Sequence, residues 1–373
     1  MREITADQLK DRLGAATEQP LVIDIRPRPE YEAWHIEGAI NVPVYDSIKA
    51  GNMEEAVHVL QELPKDRPLV AVCRAGFISQ KAAHVMERMH LEVSSLQGGM
   101  RGWGAVWTEA PVPLPSAPSA TLLQVRRNGK GCLSYLLVDG GQAAVVDPSV
   151  STDAYLDLAA RHGARVTMVL ETHVHADHLS RARDLALHSQ AELIYPQNDR
   201  VTFLYRPVRD GDRLRVGSVE LEVIATPGHT GESVCYRIGN DALLTGDTLF
   251  TSAVGRPDLE KGNDGADRGA HTLWASLHRK IEALPGSLRV LPAHHATAIG
   301  FDGTPVSATL AELRERVELL KVPEESFVAT VLRSLQAKPP NFEMVIAVNE
   351  GKAGLEGIDP LDVEAGPNRC AVG

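Results

Sequence analysis

Short runs of consecutive apolar residues alternate with segments of helical period through the first hundred positions. Residues 21–25 (LVIDI) and 68–73 (PLVAVC) are apolar almost throughout. They lack the two-residue alternation of a half-exposed strand, and so predict strands of a parallel sheet covered on both faces. After the second run the period lengthens, in residues 79–89 (SQKAAHVMERM), which predicts a helix and hence an α/β unit. The opening segment MREITADQLKDRL is amphipathic, with Thr5 and Gln8 placed as a capping box. It reads as a helix rather than a cleaved leader.

The periodicity stops at residues 109–120, where Pro111, Pro113, Pro115 and Pro118 crowd a short segment that reads as an extended, semi-rigid linker. Beyond it, strand-like runs (CLSYLLVDG, AAVVDP, VTMVLETH, LEVIATPGH, DALLTGD) resume, with a helical segment over 152–162. Several of these runs end directly in a cluster of His or Asp. Residues 307–320 and 324–335 read as two closing helices before the stop signal AKPPNF. A chain of 373 residues exceeds most single cores, so the pattern divides into a domain at 1–108, the linker at 109–120 and a second domain at 121–373. No apolar run approaches 18 residues, which predicts no membrane span.

Charge narrows the function classes. With 38 basic against 49 acidic residues, the chain is a poor partner for a phosphate backbone, and nucleic acid is not expected. The four cysteines are far apart and form no CxxC pair, so a reducing, cytoplasmic setting is expected. Cys132 and Cys235 read as core packing and Cys370 as part of a mobile tail. A homo-oligomer is compatible with this composition.

Cys73 directly follows the second apolar run, in a loop (CRAGFI) that leads into a helix expected to begin at Ser79. Such a loop points backbone N–H groups and the positive end of a helix dipole at one place, favouring a thiolate or persulfide anion. Residues 23–43 (IDIRPRPEYEAWHIEGAINVP), the loop CRAGFIS and the closing LQGGMRGW together resemble the rhodanese, or sulfurtransferase, domain across nearly all of residues 1–108. The resemblance implies a parallel sheet flanked by helices, with Cys73 carrying sulfur as a persulfide and Arg74 and Gly76 contacting the sulfur donor. Ile78 stands where many members have Arg, which favours a small persulfide over dianionic thiosulfate.

In the second domain, THVHADH places His173, His175, Asp177 and His178 within six residues. Alternate positions of an extended segment point the same way and can grip a metal from one side. TPGHT (His229), LTGD (Asp247) and LPAHH (His294) each follow a further strand-like run. This set resembles the metallo-β-lactamase superfamily over roughly residues 121–300, which implies an αββα sandwich with metal between its two sheets.

Two chemistries fit such a set. Two zinc ions would make a hydroxide, as in glyoxalase II-type thioesterases, whereas two His and one carboxylate on a single ferrous ion leave room for dioxygen and substrate. Gly255-Arg256-Pro257-Asp258 resembles the persulfide dioxygenases. That likeness implies mononuclear Fe(2+) on His173, His229 and Asp247, with Arg256 positioning substrate and Thr245 in support. His175, Asp177, His178 and His294 would be held by hydrogen bonds nearby or would hold a second metal.

The implied activity is iron-dependent oxidation by O2 of a low-molecular-weight persulfide, for example glutathione persulfide, to sulfite, coupled to sulfur transfer at Cys73. LPAHHATAIG departs from the His-Asp-Tyr of glutathione-using members, which leaves the thiol open. The alternatives are a dinuclear zinc thioesterase with a rhodanese domain, and a non-enzymatic sulfur carrier or sensor.

Overall fold

The computed structural model describes residues 2–260, 262–366 and 368–372. β1 (Arg2–Ile4), β2 (Leu21–Asp24), β3 (Ile40–Asn41), β4 (Leu69–Val72) and β5 (Val93–Leu96) form a wholly parallel sheet in the order β1-β5-β4-β2-β3. All four residues of β4 are buried. Val70 and Val72 face one apolar cluster and Leu69 and Ala71 the other, so the continuous apolar run is explained by helices on both faces. The first helix, α1 (Ala6–Leu13), is closed by the expected Thr5–Gln8 capping box.

The second domain stacks two sheets. The first contains β6 (Thr108–Val112), β7 (Thr121–Arg127), β8 (Cys132–Asp139), β9 (Gln142–Val146), β10 (Arg165–Leu170), β11 (Glu192–Pro196) and β12 (Arg206–Val208), running in reverse chain order. The second is built from β13 (Arg213–Val216), β14 (Val219–Ala225), β15 (Val234–Ile238) and β16 (Ala242–Gly246). Here β17 (Val254–Gly255) leaves the layer, and β18 (Arg289–Pro292) and β19 (Ala308–Thr309) complete it beside β16. Leu133, Tyr135 and Leu137 on β8 meet Leu221, Val223 and Leu244 between the sheets, while Leu136 and Val138 point outward to the helices Thr152–Arg161 and Ala182–Ser189. The helices Gly262–Ser276 and Glu324–Arg333 cover the outer face of the other sheet. The layers are therefore αββα, as expected.

Three local expectations change. The segment read as linker begins as strand β6, at the sheet edge against β7. Ala110 and Val112 are buried and Pro111 between them is exposed, a hidden two-residue period in which proline, lacking an N–H, is tolerated because the strand lies at an edge. The expected helix over 307–320 is shorter, running Leu310–Arg316 behind a Thr309–Glu312 capping box. Beyond the stop signal the chain folds again, as the helices Phe342–Asn349 and Pro360–Val363 and a final strand β20 (Ala371–Val372) paired with β17. No described helix is long and apolar enough to cross a membrane.

The terminal segment is tied down by a buried ion pair. Glu364 receives Arg127 Nη2 at 2.9 Å, Arg181 Nη2 at 3.2 Å and the Leu179 amide at 2.8 Å. Burial raises the carboxyl pKa, but Arg127 and Arg181 outweigh it and hold it at about 2. A carboxylate depressed in the folded state contributes stability above its unfolded pKa and loses it as pH falls toward the folded value. Glu364→Gln is therefore expected to cost about 3–5 kcal/mol at pH 7. In urea denaturation over a pH series, the deficit should shrink below roughly pH 4.5.

Candidate metal centre

The seven candidate ligands follow the ends of strands from both sheets: β10 precedes His173, His175, Asp177 and His178, β14 precedes His229, β16 precedes Asp247 and β18 precedes His294. Each is at most 3% exposed. The structure sorts them into distinct groups rather than one. His173, His229 and Asp247 converge; Asp177, His178 and His294 gather around Cys132; and His175 sits with Asp147 and Glu171.

In the first group His173 Nε2 lies 3.7 Å and His229 Nε2 3.5 Å from Asp247 Oδ2. None of these three atoms has a hydrogen-bond partner. Their other atoms are all engaged. Thr172 Oγ1 donates to Asp147 Oδ2 at 2.9 Å and is left to accept from His173 Nδ1, also 2.9 Å away. His229 Nδ1 donates to the Arg256 carbonyl at 2.7 Å. Both rings thus carry their proton on Nδ1 and present a lone pair on Nε2, the tautomer a metal needs. Burial, the largest influence on each, holds both histidines below the usual pKa, so they are neutral near pH 7. Two imidazole nitrogens and one carboxylate oxygen, dry and unpartnered, fit a divalent transition metal.

His175 Nε2 lies 3.0 Å from Glu171 Oε2 and 3.3 Å from Asp147 Oδ1, while its Nδ1 is buried without a partner. Asp147 holds a left-handed backbone conformation with φ 53°, an uncommon one for a residue other than glycine. Burial pushes Glu171 up to about 7. His294 bridges the groups, with Nδ1 2.6 Å from Asp247 Oδ1 and Nε2 2.9 Å from Asp177 Oδ2. Burial lowers its pKa, but the two carboxylates raise it well above the ordinary value.

Several sequence expectations are corrected. Arg256 does not open onto a substrate space: it is 1% exposed, pairs with Asp258 at 2.7 and 3.0 Å, and donates to the carbonyls of Gln336, Ala337 and Arg369. Its donors are spent on Asp258 and the C-terminal segment, and its contribution to the site is the carbonyl that holds His229. Thr245 donates to Leu249, bracing the loop after Asp247 rather than touching a ligand. Cys132 is not mere packing, since Sγ lies 3.8 Å from Asp177 Oδ2. Burial works against its ionisation, yet His178 and His294 lower its pKa to about 6. Cys370 is not in a mobile tail but buried beside Asp247 and His294. Cys235 does pack in the core, where burial raises its pKa to about 11.

Asn349 was missed. Its side chain donates to the carbonyls of His175 and His178 and accepts from Ser180, fixing the histidine loop from the far end of the chain. Its position within an ordinary apolar helix carries no signal of this. Glu171 and Thr172, directly before His173, were legible as polar residues at the end of an apolar strand.

In the first domain, Cys73 Sγ accepts from the amides of Gly76 at 3.2 Å and Ser79 at 3.3 Å. The helix starts at Phe77, two residues before the expected Ser79, because Gly76 caps it at φ 92°. Arg74 pairs with Glu30 and lies over the Tyr45 ring, 4.8 Å from its centroid. The loop is thus built to hold an anion on sulfur.

Gly255 lets β17 pass the site: a Cβ there would overlap the Asp247 carbonyl and sit 3.0 Å from His229 Cβ. Gly255→Ala should displace two ligands and weaken metal retention about tenfold to a hundredfold, as loss of a supporting contact does. A chelator competition with metal content measured per chain checks this.

Comparison with known proteins places these features. Residues 127–294 match the Metallo-beta-lactamase superfamily model and residues 5–106 the Rhodanese-like domain model. A hydroxyacylglutathione hydrolase of Methylococcus capsulatus is 32% identical over 62% of this chain and 90% of its own length. The mitochondrial persulfide dioxygenase ETHE1 of Homo sapiens is 31% identical over 58% of this chain and 82% of its own. The crystal structure of ETHE1 from Myxococcus xanthus superposes with a TM-score of 0.54 at 28% identity, covering 62% of this chain and 98% of that one. The chain belongs to the metallo-β-lactamase superfamily and carries a rhodanese-like domain ahead of that fold.

Proposed function

We propose that this protein is a persulfide dioxygenase with an attached sulfurtransferase domain, oxidising a low-molecular-weight persulfide (R–SSH) with O2 and water to thiol and sulfite. The observation that carries this reading is the convergence of His173 Nε2, His229 Nε2 and Asp247 Oδ2, all buried and without a hydrogen-bond partner. His175 gathers instead with Asp147 and Glu171, which engage its Nε2. The convergent set is two histidines and one carboxylate, which suits non-haem ferrous iron.

When bound, such an iron supplies O2 activation beside the substrate sulfur. The protein's part is to hold His173 and His229 neutral in a dry pocket and to fix Asp247. His294 Nδ1 donates to Asp247 Oδ1 at 2.6 Å and leaves Oδ2 facing the histidines. The reaction balances as R–SSH + O2 + H2O → R–SH + SO3(2−) + 2 H+. At Cys73 the thiolate takes the outer sulfur of a persulfide, releasing R–S−. The Cys73 persulfide then passes that sulfur to sulfite, giving thiosulfate and the free thiolate.

A second reading has one observation in its favour. Asp177, His178 and His294 lie close enough to share an ion with Cys132, and a second metal there would suit a zinc thioesterase. Metal analysis and oxygen consumption separate the two. The expected result is one iron per chain, oxygen uptake on adding glutathione persulfide, and loss of both in Asp247→Ala. Two zinc ions with hydrolysis of S-lactoylglutathione and no oxygen uptake would overturn the proposal. Cys73→Ser should keep oxygen uptake while thiosulfate formation from added sulfite is lost.

A further inference from the structure

The first domain carries an open groove of about 800 Å³ between the helices Met53–Leu60 and Phe77–Arg88. Its apolar surface comes from Met53 and Val57 on the first helix and from Val85 and Met89 at the second. The first helix already serves the core with Ala56 and Leu60, both buried. Met53 and Val57, one turn apart, are left exposed and face the same side, so they form a patch rather than scattered surface residues.

The second helix adds a stripe of one face. Phe77, Lys81, His84 and Arg88 recur at helical spacing and are all exposed. Phe77 heads the helix with 74% of its surface in solvent, and the three basic residues line the groove. His84 lies 3.8 Å from Glu87. Among the described residues no carboxylate pairs with Lys81 or Arg88, and Glu54 is the one acid lining the groove. In a chain of net charge -11 the groove thus reverses the overall sign. Ser79 of the same helix gives its amide to Cys73 Sγ at 3.3 Å, so the stripe starts at the sulfur loop and runs away from it for about 16 Å.

These features select the occupant. A nucleic-acid backbone would meet the basic wall but gain nothing from the four apolar side chains. A second copy in a two-fold contact would set each basic wall against itself. An acidic amphipathic helix satisfies both surfaces at once, its apolar face on the Met53 and Val57 side and its carboxylates toward Lys81, His84 and Arg88. We propose that this groove docks an acidic amphipathic helix of a partner protein and seats it beside the Cys73 loop. The docking does not depend on the persulfide reading above.

The test titrates the metal-loaded full chain into a fluorescent peptide of repeated Leu-Glu-Glu-Leu-Leu-Glu-Glu heptads and follows anisotropy. One peptide should bind per chain, and more weakly at high salt, although the chain as a whole repels an acidic probe. Lys81→Glu and Arg88→Glu should each weaken binding about tenfold, and so should Val57→Asp, with metal content unchanged. The same peptide with Ser for Leu should not bind. Carbon-13 labelling of the methionine methyl groups locates the site on the unaltered chain: Met53 and Met89 signals should shift, Met168 and Met344 signals should not. Any of five results would overturn the proposal. These are absence of binding, equal binding of the Ser peptide, shifts that leave out Met53 and Met89, displacement of the peptide by single-stranded oligo-dT, and a dimer in solution that Lys81→Glu dissociates. Oxygen consumption enters none of these readouts, so this site and the dioxygenase reading fail separately.

Discussion

Three polar atoms, His173 Nε2, His229 Nε2 and Asp247 Oδ2, are buried side by side and bonded to nothing in the protein. Each forgoes water at a cost of about 1–3 kcal/mol, and a carboxylate costs more. An arrangement of this kind persists because the surrounding fold fixes every other atom of the three side chains. Thr172, the Arg256 carbonyl and His294 take up the remaining donors and acceptors, leaving one nitrogen or oxygen on each to face inward. The two sheets bring their strand ends to this place, and the apolar layer between them makes it dry.

The supporting contacts come from distant parts of the chain. Arg256 links the His229 side of the site to residues 336–337 and 369. Asn349 holds the histidine loop by two carbonyls. Glu364 anchors Arg127 in a deeply buried pair and also reaches the partly exposed Arg181. The C-terminal segment is therefore part of the metal site's framework, and the strand pair β17–β20 closes it over Gly255.

The domains meet through several contacts, some of them from this segment. Trp34 Nε1 donates to the Gly129 carbonyl at 2.9 Å, Arg127 Nε to the Gly104 carbonyl at 2.8 Å, and Arg101 reaches Asp359 and Asp362. Trp34 also approaches His295, with ring centroids 5.8 Å apart, so the rhodanese-like domain abuts the residue next to His294. These side-chain contacts set the orientation of the two domains.

The local pattern of the chain was enough for the two α/β layers, the Thr5 cap, the Cys73 loop and all seven candidate ligands, because strand ends, apolar runs and clustered His and Asp are properties of neighbours in sequence. It was not enough to rank those ligands. His173 faces Asp247, whereas His175 gathers with Asp147 and Glu171, which engage its Nε2, a fact of strand packing that spacing does not contain. Arg256 read as a substrate contact until the fold enclosed it, and Cys132 and Cys370 read as packing and tail until the fold set them beside Asp177 and Asp247. Periodicity records which face of an element is buried; which polar groups meet in that buried space is decided by pairings between residues tens to hundreds of positions apart.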